Sequence, residues 1–338
     1  MSESVREGTR DPGPPALAGA LGLIGPKLAA VERELARNLE SEFEPISAAG
    51  RYLQEGGGKR VRPTLVLLVS GLLGYRGDHD VLLGAVFEFI HTATLVHDDI
   101  IDEADTRRGR PSLNRVRGNH FTVLMGDFLY IRSMNMALRA RKLRLIDILS
   151  EATEKMIEGE ILAHHLRGRP DVSAEQHMAI IERKTAWLFS ACCRAAAVLA
   201  GADPTTEERL ARFGMELGIA FQIADDLLDL TGDEAVLGKP AASDLREGRL
   251  TLPLIDLLEC GSPEERRGVL AVLEDGGFER CAWAVLRAAL ERRGCLERAR
   301  ALAERHASRA RAALGSFPPG TFRDALLSLP DLLVNRER

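Results

Sequence analysis

The sequence predicts an all-α fold. From about Ala16 onward, apolar residues recur at helical spacing, and alternating runs rich in β-branched and aromatic residues are nearly absent. Breaks rich in Gly or Pro separate stretches of helix length, at Gly56–Gly58, Gly74–Asp78, Gly109–Pro111, Gly168–Pro170, Gly201–Pro204, Gly238–Ser243, Gly261–Pro263 and Phe317–Gly320. Helix starts are signalled by Ser173 with Gln176, by Asp203 before Pro204, and by Ser262 with Glu265, whose side chains can cap unpaired backbone N–H groups. Pro63 marks another start, after a glycine turn. No linker is long enough to divide the chain, so residues 16–338 read as one helical domain and residues 1–15, rich in charge, Gly and Pro, as a disordered segment.

Composition narrows the function classes. The 338 residues carry 45 Lys+Arg against 50 Asp+Glu, and no basic stretch is interleaved with aromatics, so nucleic acid is not expected as a partner. Cys192, Cys193, Cys260, Cys281 and Cys295 are odd in number and lack C-x-x-C spacing. That argues against a disulfide framework and a zinc site, and reads as reduced, mostly buried thiols of a cytoplasmic protein. Met1 to Pro15 has no apolar core of the kind a secretory signal needs, and no apolar run reaches the roughly 18 residues of a membrane span.

A short aspartate motif occurs twice. Asp98, Asp99 and Asp102 form the first D-D-x-x-D, and Asp225, Asp226 and Asp229 the second. On a helix, Asp98 and Asp102 share one face, as do Asp225 and Asp229. Like charges at this spacing repel, and the apolar surroundings add desolvation, so something positive is required. Oxygen ligands without His or Cys suit magnesium, which keeps several waters and bridges carboxylates to phosphates. Basic residues are interleaved with the two motifs: Lys59, Arg60 and Arg62 after Gly56–Gly58, then Arg107, Arg108 and Arg110, then Lys184, and finally Lys239 and Arg249. A metal-bridged anionic substrate needs such cations on its remaining oxygens.

Read in order, these segments resemble the trans-isoprenyl diphosphate synthases, the polyprenyl synthase family. G-G-G-K-R-x-R-P at Gly56 to Pro63, the run from Asp98 to Pro111, Gly126-Asp127-Phe128, Lys184-Thr185, F-Q-x-x-D-D-x-x-D at Phe221 to Asp229, and Gly238 to Pro253 occur in the family's sequence. The resemblance is dense from about Gly50 to Leu258. It implies a helical bundle around a deep central cavity, a homodimer, and three magnesium ions held by Asp98, Asp102 and Asp225. It further implies that Arg107, Lys184, Lys239 and Arg249 hold an allylic diphosphate, and that Gly58, Lys59, Arg62, His91 and Arg108 bind isopentenyl diphosphate. Thr185 and Gln222 would turn oxygen dipoles towards the developing allylic cation. Arg249 stands where the family usually has lysine, which exchanges a point charge for a bidentate one. Many relatives have Gln where Ala163 follows Gly159-Glu160, so no role is assigned there.

The implied reaction is repeated prenyl chain elongation. Phe87, Ile90, Ala93 and Thr94 lie at helical offsets before Asp98, where they would line the product tunnel. Because relatives with short products carry an aromatic residue just upstream of the first motif, the small Ala93 and Thr94 imply a medium-to-long product, with Phe87 a candidate floor. Each five-carbon unit gains up to about 4 kcal/mol on burial, so long products leave slowly, and a transient membrane contact would aid release.

Four other readings explain less. An HD-type phosphohydrolase, suggested by His91 and His97-Asp98, leaves the second aspartate motif unused. A terpene cyclase does not need the Gly58–Arg62 site. A di-iron bundle, suggested by Glu88-x-x-His91, lacks a second E-x-x-H. A non-catalytic subunit would not keep both motifs and their cations.

Overall fold

A computed structural model describes residues 15–232 and 241–334. Nearly all of the expected disordered segment, together with Lys239 and part of the break at 238–243, lies outside the described residues; Pro15 opens the first helix. The chain runs through α1 (Pro15–Leu39), α2 (Glu44–Glu55), α3 (Val61–Leu72) and α4 (His79–Ile101), then a two-residue hairpin of β1 (Thr106–Arg107) and β2 (Arg110–Pro111). Next come α5 (Leu113–Arg117), α6 (Asn119–Ala137), α7 (Leu143–Leu166), α8 (Ala174–Ile181), α9 (Trp187–Ala200) and α10 (Pro204–Thr231). After the undescribed segment follow α11 (Ser243–Arg246), α12 (Leu252–Cys260), α13 (Pro263–Asp275), α14 (Trp283–Arg292), α15 (Cys295–Ala313) and α16 (Thr321–Val334). The architecture is all-α, as expected.

The local signals act as their chemistry dictates. Ser173 with Gln176 and Ser262 with Glu265 form reciprocal capping boxes, and Asp203 accepts from the N–H groups of Thr205 and Thr206. One start differs from expectation. Helix α3 begins at Val61, two residues before Pro63, which sits in the first turn where a missing N–H breaks no helical bond.

Two apolar cores lie side by side. The first gathers α3, α4 and α9 with α1, α6, α7 and α16; the second gathers α8 with α11 to α15. Helix α10, 28 residues long, runs through both. Helix α4 is long and apolar enough to cross a membrane, but 67% of its most apolar stretch is buried inside the protein. It is a core helix. Cys192, Cys193 and Cys295 are buried, while Cys260 is exposed and lies with Cys295 and Asp256 around the Arg298 guanidinium.

Glycines set how closely α9 and α10 cross. A Cβ on Gly214 would come within 2.5 Å of the Phe189 carbonyl oxygen, and one on Gly218 within 2.6 Å of Ala186 Cα. Both obstacles are backbone, which cannot swing aside. Gly214→Ala should therefore cost about 1–3 kcal/mol of unfolding free energy in urea titrations, and an unchanged midpoint would show that the helices can part freely.

Candidate active site

Gly214 and Gly218 continue along one face of α10 to Gln222 and Asp226, each four residues on. The glycine crossing thus delivers Gln222 to the segment joining α8 and α9. That segment, Glu182–Ala186, is a π-turn, a local widening of the helix that re-aims side chains. Gly159 on α7 makes room for it: a Cβ there would meet Lys184 N at 2.6 Å. Successive residues of the turn then reach the first aspartate motif directly and the second through Gln222. Lys184 Nζ stands 3.8 Å from Asp98 Oδ2 and also pairs with Glu160, while the Thr185 hydroxyl donates to Gln222 Oε1 at 2.8 Å. The segment after α10 makes a second bridge. Arg249 Nη1 donates to Asp102 Oδ1 at 3.2 Å, and the Ser243 hydroxyl and Asp244 N–H donate to the two oxygens of Asp229 at 2.5 and 3.1 Å.

Burial sorts the six aspartates into two sets. Asp98 and Asp102 are half-buried and Asp225 is exposed. Asp99, Asp226 and Asp229 are only 2%, 6% and 2% exposed and are bonded inward. Asp99 accepts from Arg107 Nε at 2.5 Å, and Asp226 accepts from Gln222 Nε2 and His177 Nε2, both at 2.9 Å. Asp225 and Asp229 therefore share a helix face by spacing but not an environment, because the start of α11 covers Asp229. Burial pushes the Asp98 carboxyl up to about 6, with Glu160 and Asp102 adding to the rise and Lys184 opposing it. Burial also raises Asp99, against the pull of Arg107.

The basic half is organised by strained loops. Arg60, at φ 50°, precedes α3 and bonds Glu32 through Nε (2.5 Å) and Nη2 (3.0 Å) and Glu88 through Nη1 (2.9 Å). It anchors the glycine loop. Arg108 and Gly109, at φ 54° and 74°, form the tight turn of the hairpin, whose twist requires positive φ. A Cβ on Gly58 would lie 2.8 Å from Arg60 Nη1 and 3.0 Å from Arg108 Nη1, so glycine there lets both guanidiniums close on the loop. Arg62 lies over the Phe189 ring, 5.4 Å from its centroid, and burial works against its charge. Burial, helped by Arg62, Arg108, Arg107 and Arg60, holds His91 well below the usual histidine range, so the ring is neutral at pH 7. The structure thus brings Gly58, Arg62, His91 and Arg108 together, with Lys59 exposed on the same loop.

Several partners escaped sequence reasoning. Glu160, set aside because Ala163 follows it, pairs with Lys184; the intact Gly-Glu pair was the available signal. Arg167 pairs with Asp102, and Arg249 is gripped by Asp244, Glu247 and Asp102 together. Burial opposes the Arg249 charge, but these three carboxylates outweigh it and hold its pKa above the ordinary arginine value. Glu88 is not half of a metal pair with His91, since it is spent on Arg60.

A cavity of about 90 Å³ lies under the basic cluster, lined by Leu35, Leu53, Leu95 and Leu129 as well as Arg60 and Arg108. It is smaller than a cavity of roughly 150 Å³ that binds benzene. Of the residues expected to line a tunnel, Phe87, Ile90 and Ala93 are closed in the first core and Thr94 is half-buried, its hydroxyl donating to the His91 carbonyl. None of the four lines this cavity, whose walls come instead from other residues of α4 and from α1, α2 and the hairpin.

The donor set fits a hard divalent cation. Asp98, Asp102 and Asp225 offer oxygen only, and burial, with Glu160 and Asp102 adding to it, disfavours the Asp98 charge, a cost that a bound cation would offset. Comparison with known proteins agrees. The Polyprenyl synthetase family model matches residues 43–284. Octaprenyl diphosphate synthase of Escherichia coli strain K12 is 39% identical over 316 residues, covering 94% of this chain and 98% of that protein. The crystal structure of a polyprenyl synthase from Caulobacter crescentus CB15, complexed with calcium and isoprenyl diphosphate, is 35% identical with a TM-score of 0.91, covering 97% of this chain and all of that one. A decaprenyl diphosphate synthase from Rhodobacter capsulatus is 37% identical with a TM-score of 0.88, covering 94% and 98%. With the motifs, the fold and these likenesses in agreement, the chain is a prenyltransferase that belongs to the polyprenyl synthetase family.

Proposed function

We propose that this protein condenses an allylic diphosphate with isopentenyl diphosphate, repeatedly, to give a medium-to-long polyprenyl diphosphate. The observation that carries the reading is the π-turn, which sets a cation on the first motif and a hydroxyl on the partner of the second. Asp98, Asp102 and Asp225 would hold magnesium ions, three with substrate bound. When bound, magnesium supplies Lewis-acid stabilisation of the leaving diphosphate.

The chain's own residues do the rest. Arg107, Lys184, Arg249 and Lys239 hold the allylic diphosphate; the first three are paired with carboxylates in this structure, so they are pre-aimed at charge and need little reorganisation. Arg62, Arg108, Lys59 and neutral His91 hold isopentenyl diphosphate with its double bond within reach. Thr185, having donated its proton to Gln222, keeps oxygen lone pairs for the allylic cation. The departing diphosphate removes the proton after condensation. No protein nucleophile is needed.

The functional unit we propose is a cytoplasmic homodimer of a one-domain chain. Leu124, Ile131 and Leu138 stand 52–67% exposed at seven-residue spacing along and just beyond α6, an apolar face that supports self-association.

Purified protein, magnesium, labelled isopentenyl diphosphate and separate allylic starters test the activity, with products sized after phosphatase treatment. Consumption of the label into long chains is expected. Products made from the allylic diphosphate alone would instead indicate a cyclase. Length is tested separately: Thr94→Phe or Ala93→Phe should shorten the product, and unchanged lengths in both would remove these residues from length control.

A further inference from the structure

We infer that His177 is a positioning residue for prenyl transfer, acting through Asp226 and Gln222 on the Thr185 hydroxyl. This rests on the elongation reading above, but its evidence is separate. His177 sits in the first turn of α8, whose start is pinned by the Ser173–Gln176 capping box, and it is buried. Its Nε2 lies 2.9 Å from Asp226 Oδ2.

The four residues form a directional chain. Thr185 donates to Gln222 Oε1 at 2.8 Å, and Gln222 Nε2 donates to Asp226 Oδ1 at 2.9 Å. His177 donates to the second Asp226 oxygen, which fixes the carboxylate plane. The direction matters because a glutamine amide can rotate by half a turn at little steric cost. An Asp226 carboxylate held in place requires a donor from Gln222, so the NH₂ group must face Asp226 and the carbonyl must face Thr185. That carbonyl in turn takes the Thr185 proton and leaves the hydroxyl's lone pairs turned outward. Without His177, Asp226 would be a buried carboxylate short of a donor, free to swing, and the amide would lose the reason for its orientation. The effect should appear in the chemical step, because His177 touches neither diphosphate site.

His177→Leu removes the donor at similar volume, and His177→Gln returns an N–H at the position of Nε2. The expected result is a kcat lower by about 10- to 100-fold in His177→Leu, with KM for isopentenyl diphosphate within about twofold of wild type, and recovery to within about fivefold of wild type in His177→Gln. A kcat unchanged in His177→Leu, a loss confined to KM, or a His177→Gln variant as slow as His177→Leu would overturn the inference. A second arm is independent of activity. Histidine ¹⁵N NMR should show the His177 Nε2–H tautomer with a hydrogen-bonded proton that is lost in Asp226→Asn, and a signal indifferent to that change would also overturn it. Should wild type fail to consume isopentenyl diphosphate, the elongation reading fails, and the NMR arm still decides the His177 linkage.

Discussion

Asp98→Asn should lower kcat/KM by about 10²- to 10³-fold and at the same time make the metal-free protein more stable at pH 7.5. The loss follows from removing a fixed charge that holds the ions and so stabilises the leaving group. The gain follows from linkage. Burial raises the Asp98 carboxyl to about 6 from the ordinary 3.8, so the folded state favours the protonated form. The stabilisation that protonation gives is complete below about pH 4 and is lost as pH rises through about 6, a total of about 3 kcal/mol. Asparagine carries no such penalty, although Lys184 loses one of its two partners. Denaturant titrations in chelator should therefore show the variant more stable by about 1–3 kcal/mol at pH 7.5 and no more stable than wild type at pH 4. A variant that is both inactive and destabilised at pH 7.5 would give Asp98 a merely structural part.

Glu88→Ala should cost about 3–5 kcal/mol of unfolding free energy, the range for stripping a partner from buried charge. Glu88 is 4% exposed and accepts from Arg60, and its charge also offsets the buried Arg62 and the Arg108 guanidinium. Among the described residues, Glu32 would remain as the carboxylate partner of Arg60. Inorganic diphosphate should restore part of the loss, because a bound anion supplies the charge that was removed. A cost under about 1 kcal/mol, or no rescue, would mean that the arginines are better solvated than their packing indicates.

What was legible in the sequence was local. The capping boxes at Ser173 and Ser262 need residues three apart, and the D-D-x-x-D motifs announce themselves by placing charge inside apolar helices. The break at Leu138–Lys142 was not legible, since it contains neither Gly nor Pro and turns on Arg141 at φ 54°. Nor was the division of labour among the aspartates: Asp225 and Asp226 are neighbours in sequence, and only the packing of α8 against α10 turns one outward and the other to His177. The Gly214 and Gly218 spacing was a visible signal for a close helix crossing, yet its consequence, the meeting of Thr185 and Gln222, is a long-range event that no local pattern encodes. The residues expected to line a tunnel show the reverse limit. Helical offset groups Phe87, Ile90, Ala93 and Thr94 by position, but offset alone does not say whether a face meets a cavity or a neighbouring helix.

Manganese binding, followed by electron paramagnetic resonance in the presence of inorganic diphosphate, tests most directly whether both motifs serve one ion-and-diphosphate site. In wild type, diphosphate should increase the number of tightly held ions, and either Asp98→Asn or Asp225→Asn should remove that increase. Retention of the full diphosphate-dependent increase in either variant would mean that the two motifs act apart.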